Sequence, residues 1–238
     1  MNAAEYCKTK QWTLTKTWNE HRYTIYDIPS HVVATRSNQL FSSYDLSEVY
    51  DYLNLKNAYI RDMITKIISG GQTGADRAGL EAGRILGIET GGTAPKNWRT
   101  ETGADASLRN YGLVEHESSD YPPRTEDNVK NSDATIIFDL AKKFSPGSAL
   151  TIKLCKAYNK PYLIIKRIDD LLIAENISQF LLSYKVRILN VAGNRESSAP
   201  GIFEKVKNVL IESIPCLKND SDRIESPQAP LPRPSQRA

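Results

Sequence analysis

Residues 67–77 read Ile67-Ile68-Ser69-Gly70-Gly71-Gln72-Thr73-Gly74-Ala75-Asp76-Arg77. This is an apolar run, a glycine-rich turn and a helix start. Gly70, Gly71 and Gly74 allow positive φ and let the backbone come close to a ligand. The free N–H groups and dipole of the new helix favour an anion. Gln72, Thr73, Asp76 and Arg77 complete the candidate set in this segment. The turn is neither GxGxxG nor a Walker A loop, because no GK[ST] follows.

Four later segments have the same strand-to-loop or loop-to-helix character. Thr90-Gly91-Gly92-Thr93-Ala94-Pro95-Lys96-Asn97-Trp98-Arg99 offers Gly91, Gly92, Lys96 and Arg99. Trp98 reads equally as a stacking surface for a heterocycle and as a packing residue. Tyr121-Pro122-Pro123-Arg124-Thr125-Glu126-Asp127-Asn128 enters a helix and offers Arg124, Thr125 and Asn128. A cation at a helix start runs against the dipole, so Arg124 makes sense beside an anion. It also reads as a surface partner of Glu126 and Asp127. Phe144-Ser145-Pro146-Gly147-Ser148-Ala149-Leu150-Thr151 reads as a second anion cradle, through Gly147 and Ser148. The last segment, Leu189-Asn190-Val191-Ala192-Gly193-Asn194-Arg195-Glu196-Ser197-Ser198-Ala199-Pro200-Gly201-Ile202, offers Asn190, Gly193, Arg195 and Glu196. Five loops on one sheet edge would converge on one pocket.

Other chemistries find no support. His21, His31 and His116 lack ligand spacing, so no metal site is expected. There is no GxSxG elbow. Asp76, Asp133, Asp139 and Glu196 are the carboxylates nearest the expected site, and no two are spaced for acid–base work. No catalytic residue is assigned.

These loops need a scaffold, and the periodicity supplies one. Strands are expected at 64–69, 88–92, 113–116, Ala134–Phe138, 162–166 and 187–191. Helices are expected at Ala75–Leu86, 125–131, 148–158, 175–184 and 202–214. The first turns Ala78, Ala82, Ile85 and Leu86 inward, and the third turns Leu150, Leu154 and Ala157 inward. Alternating strands and helices imply an α/β domain over 63–215 with a doubly wound parallel sheet. Residues 1–62 form a small α+β extension. It holds nine Trp and Tyr residues, strands at Arg22–Tyr26 and 31–35, and a helix opened by Asp45 and Glu48. The extension is expected to pack on the core or across an oligomer interface, since so small a unit buries little alone. Residues 216–238 carry four prolines among polar residues and read as a disordered tail. The PxxP spacing there is open to a protein partner.

The 238 residues have a 40% hydrophobic fraction and a net charge of +3. That balance suits an anionic ligand and argues against nucleic acid. No apolar run reaches a membrane span. Three separated cysteines without CxxC, and no secretory leader pattern, point to reduced thiols and the cytoplasm.

Taken together the motifs resemble one family, the molybdenum cofactor carrier proteins. These belong to a wider Rossmann-like group that includes the Lonely Guy phosphoribohydrolases and DprA. The resemblance runs over 66–213. It rests on the 68–77 segment, on Arg124-Thr125-Glu126-Asp127-Asn128-Val129 with Ser132-Asp133-Ala134-Thr135, and on Leu189-Asn190-Val191-Ala192-Gly193 with Arg195-Glu196-Ser197 and Pro200-Gly201-Ile202. It implies a Rossmann-like fold, homo-oligomers and a pocket for the phosphorylated pterin, molybdopterin. Molybdate or another anion would lie on the 70–74 turn. The implied role is carriage or storage.

The sequence also departs from that family. Its Cys-Pro-Lys-Gly-Arg stretch reads Ala94-Pro95-Lys96-Asn97-Trp98-Arg99 here, and its Gly-Gly-Thr reads Pro146-Gly147-Ser148-Ala149-Leu150-Thr151. Where the Lonely Guy enzymes keep a catalytic Glu, this chain offers Lys153. That speaks against phosphoribohydrolase activity. Two rival readings stand beside the carrier: an enzyme acting on nucleotide-type substrates, and a sensor or sequestering protein for a nucleotide-derived signal.

Overall fold

The computed structural model describes residues 60, 63–168 and 173–214 in full, together with the backbone of three strands nearer the N-terminus. Those strands are β1 (Thr13–Thr17), β2 (Arg22–Tyr26) and β3 (Gln39–Ser43), an antiparallel sheet in the order β1-β2-β3. The expected strand at 31–35, the helix opened by Asp45 and the 216–238 tail lie outside the described residues.

The main sheet has six parallel strands. They are β4 (Lys66–Ile68), β5 (Glu89–Ala94), β8 (Leu113–Glu115), β9 (Ala134–Phe138), β10 (Tyr162–Ile165) and β11 (Ile188–Gly193). Their order is β10-β9-β11-β4-β5-β8. From β4 the chain builds outward through β5 to β8. It then crosses to β9 and β10 and returns to place β11 in the middle. β11 pairs with β9 on one side and β4 on the other. The direction of winding therefore reverses around β11 and β4, which opens a crevice at their C-terminal ends.

Five helices cover the sheet: α1 (Ala75–Leu86), α2 (Tyr121–Lys130), α3 (Pro146–Ala157), α4 (Ile173–Ser183) and α5 (Ile202–Ser213). Helix α1 packs on β11, β4 and β5, α5 packs on α1 and α4, and all three helices share one apolar cluster with the sheet. Their buried side is apolar, with Ala78, Ala82, Ile177, Leu181 and Val206 meeting Ile67, Ile136, Phe138 and Val191. Strand residues alternate faces, so Asn190 and Ala192 turn the other way from Val191. The second face carries α2 and α3. It is polar: Thr135, Asn190, Asn128, Ser148 and Thr151 are all buried there.

That polarity explains how α3 departs from expectation. Its buried residues are Ser148, Thr151 and Cys155, while Leu150 and Leu154 are half-buried and Ala157 is exposed. Small polar residues let the helix lie close to Thr135 and Asn190. Ile85 of α1 is likewise 51% exposed, contrary to the inward placement its spacing suggests. Helix α2 begins four residues before the expected 125, because Pro122 and Pro123 fit a first turn where N–H groups lack partners anyway. Strand β5 runs on through Gly91 and Gly92 to Ala94. The short antiparallel pair β6 (Arg99–Thr100) and β7 (Gly103–Ala104) gave no sequence signal.

Candidate functional site

The loop after β4 is fixed from within before any ligand is considered. Ser69 Oγ donates to the Asp76 carbonyl at 3.0 Å and accepts from the Gly71 N–H at 3.1 Å. At Gly74, φ is +75°, and a Cβ would lie within 2.6–2.8 Å of the backbone of residues 194–196. This glycine lets the β4 and β11 loops touch. Gly70 has a different reason to be glycine. A Cβ there would sit 1.4 Å from Arg124 Nη1. The guanidinium of α2 lies directly on the Gly70 backbone.

Arg124 reaches Asp76 Oδ2 at 3.3 Å, with the two side chains 12% and 5% exposed. Burial pushes the Asp76 carboxyl above the usual range, with the Arg124 cation and the Gln72 N–H opposing it. Gln72 is 4% exposed, and its Oε1 accepts from the N–H groups of Thr73 and Glu101. Its Nε2 has no partner. Arg124 Nε and Ser148 Oγ are also buried without a partner. Three guanidinium groups converge on the Tyr121 ring: Arg195 at 4.8 Å, Arg99 at 5.3 Å and Arg124 at 5.6 Å from its centroid.

Helix α3 starts opposite Arg124. Its N-cap Ser145 makes no side-chain cap, and Pro146 stands in the first turn. The chain enters through Asp139, whose Oδ2 accepts from the Ser145 N–H at 3.2 Å and meets Lys166 Nζ at 3.2 Å. The N–H groups of the first turn thus face the crevice without a side-chain cap.

Between these elements lies a cavity of about 340 Å³. Of the expected residues, Gly70, Gln72, Asp76, Arg124, Thr125, Asn128, Gly147, Asn190, Gly193 and Arg195 line it. Ser148 is buried in the adjoining turn of α3. Asn128 also ties α2 to β5, since its amide donates to the Thr93 carbonyl and accepts from the Thr93 N–H.

The other expected residues do not line this cavity. Gly71 faces Leu108 and Leu113, and Gly91 and Gly92 lie within β5, where Gly92 abuts Ser69. The Thr73 hydroxyl donates to Glu101. Arg77 pairs with Asp105 at 2.5 Å. Lys96 is exposed, and Arg99 reaches only the Tyr121 ring at the rim. Glu196 accepts from the N–H groups of Gly201 and Phe203, so it caps α5. Trp98 is a packing residue, 7% exposed against Leu80, Ala94, Leu108 and Leu113, under Arg109. Asp133 binds the N–H groups of Arg187 and Ile188 at the opposite edge of the sheet. Lys153 is exposed, and Thr151, which lines the cavity, stands where the helix meets the site.

Sequence reasoning did not single out Tyr121, Ser145, Pro146, Leu150, Thr151, Ala192 or Ser198, which also line the cavity. All of them stood inside segments already quoted. For those of α2 and α3 the signal was position near the helix start, which required the right helix starts to read.

The profile of the circularly permutated YpsA SLOG family matches residues 67–214, more than half of the chain. Among solved structures, a protein of Syntrophus aciditrophicus SB named "Putative molybdenum carrier protein" is 38% identical, with a TM-score of 0.58. The match covers 65% of this chain and 96% of that one. No curated protein matches.

Proposed function

We propose that this chain, which belongs to the circularly permutated YpsA SLOG family, binds and carries a small phosphorylated or oxyanionic ligand, and that this ligand is molybdenum cofactor. One observation carries the reading. Among the described residues five buried side-chain polar atoms have no partner; Arg77 Nε and Trp98 Nε1 lie elsewhere, but Gln72 Nε2, Arg124 Nε and Ser148 Oγ belong to the walls of one cavity or the turn behind it. Orphaned buried donors are costly unless a ligand completes them. The name of the 38% identical structure supports the choice of cofactor.

The residues suit such a group. A terminal phosphate would take the uncapped start of α3 and the Arg124 cation. Gln72 Nε2 would donate to a polar ring edge. The volume falls in the roughly 300–1,000 Å³ range of small-molecule sites. No cluster of His, Cys, Asp or Glu among the described residues could hold a metal ion. Molybdenum would therefore travel as cargo on the pterin.

Among the described residues Asp76 is the one carboxylate lining the cavity, and it already pairs with Arg124. Binding without turnover follows from that commitment. The raised Asp76 carboxyl favours one rival, in which it serves as general acid toward a nucleotide. Two measurements separate the readings. Native mass spectrometry and elemental analysis of protein from its own host should show a phosphorylated pterin with molybdenum. AMP incubated with the protein should be recovered intact. Adenine release that disappears in Asp76→Asn would replace the carrier with an enzyme.

A further inference from the structure

The anion pocket has a neighbour. A second cavity, of about 620 Å³, opens on the other side of Ser145 and Pro146, and Ser198 also walls both. Lys142, Lys143 and Lys205 line it together with Phe144, Pro200 and Ile202. Among the described residues no carboxylate lines it. Among the described residues none of the three lysines has an ion-pair partner: nearby, Asp139 is taken by Lys166 and Glu204 by Lys207. The Phe144 ring is 45% exposed, with Lys166 Nζ 4.0 Å from its centroid. The groove thus combines a half-exposed aromatic ring, capped on one side by Lys166, with uncompensated positive charge.

The shared wall is the start of α3, which has no side-chain cap. On the first side of that wall, Gln72 Nε2 is buried and unpartnered. We infer that the two cavities are halves of one site and that the ligand is a dinucleotide: two heterocyclic halves joined through pyrophosphate. The pyrophosphate lies across the first turn of α3, where backbone N–H groups and the helix dipole meet both phosphates. One half occupies the pocket of Gln72 and Arg124. The other lies along Phe144 beneath the lysines. A mononucleotide would leave the second cavity and its lysines unused. For a pterin cargo, this means the form extended by a nucleoside monophosphate. The inference rests on the binding function proposed above and narrows its ligand class.

Titration calorimetry on the full chain tests it with matched pairs, namely NAD⁺ and AMP, FAD and FMN, and diguanosine pyrophosphate and GMP, with inorganic phosphate alongside. At least one dinucleotide should bind tenfold or more tighter than its own half. Replacing Lys142→Gln with Lys143→Gln should remove that advantage and leave the mononucleotide unchanged. Phe144→Ala should weaken the dinucleotide alone. These positions are on the surface, so the fold is not at stake. Phosphate binding with every dinucleotide no tighter than its half overturns this inference and leaves the anion site standing. Equal weakening of both members of a pair in the lysine variant overturns it as well. If neither phosphate nor any nucleotide binds, the proposed function falls and this inference with it.

Discussion

Arg124 and Gly70 form a lock that a single methyl group opens. A Cβ at residue 70 meets only the end of a flexible side chain, 1.4 Å from Nη1, so Gly70→Ala should keep the fold and push the guanidinium off its seat. Sulfate affinity should fall about tenfold, or ~1.4 kcal/mol, while the circular dichroism spectrum is unchanged. Undiminished affinity would show that Arg124 does not hold the anion. Asp76 adds a pH dependence. Its folded carboxyl is raised by burial above the ordinary 3.8, so the unfolded chain releases its proton first as pH rises. Stability should therefore fall as pH climbs from that ordinary value through the raised one, a slope that Asp76→Asn removes. Binding follows the same proton. When Asp76 is protonated, Arg124 is released from its partner and its charge goes to the ligand. Sulfate, fully ionised throughout, should bind more tightly as pH falls through the Asp76 titration. Asp76→Asn should bind at pH 7 as tightly as the native protein does at the acid end. A native profile that is flat in this range removes the proposed competition.

Element starts decided what could be read ahead of the structure. Helix α1 was legible in its bounds and, Ile85 apart, in its facing, because its small apolar stripe meets an apolar sheet face. Helix α3 was legible in extent but not in facing. Its leucines suggest the inward side, yet the sheet face beneath is polar, and Ser148, Thr151 and Cys155 take that side. No single helix records the polarity of the surface it will cover. The glycines carried a second meaning. Gly92 looks like a ligand-contacting position, but a Cβ there would lie 2.1 Å from the Ser69 carbonyl oxygen just past β4, and Gly193, which does line the cavity, would bring a Cβ 2.2 Å from the Phe138 carbonyl oxygen. They are required by strand packing. Glu196 belongs to the same lesson. Its carboxylate accepts from Gly201 N–H at 2.5 Å and Phe203 N–H at 3.1 Å, where the dipole of α5 favours a negative charge. Glu196→Ala should cost about 1 kcal/mol in chemical denaturation and leave sulfate affinity within twofold. A tenfold loss of affinity without loss of stability would return Glu196 to the ligand.

At the scale of the molecule, the alternation of strands and helices was enough to foresee a parallel, doubly wound sheet, and the glycine-rich loops pointed to its C-terminal edge. Strand order was not foreseeable, because nothing local in 188–193 says that the last strand will enter between β9 and β4. That insertion makes the site a junction. Its walls come from the β4 loop, α2, α3 and the β11 loop, elements that hang on both halves of the sheet. A ligand there crosslinks the two halves, and binding to the folded state alone must raise stability. At a ligand concentration one hundred times Kd the gain is about 2.7 kcal/mol. For a chain of this size each kcal/mol moves Tm by roughly 2–4 °C, so the shift should be about 5–10 °C. Gly70→Ala, with its affinity reduced tenfold, should need ten times more ligand to reach the same Tm. A native protein whose Tm does not rise as ligand is increased would place binding elsewhere, because no ligand can occupy this junction in the folded chain without drawing the folding equilibrium toward it.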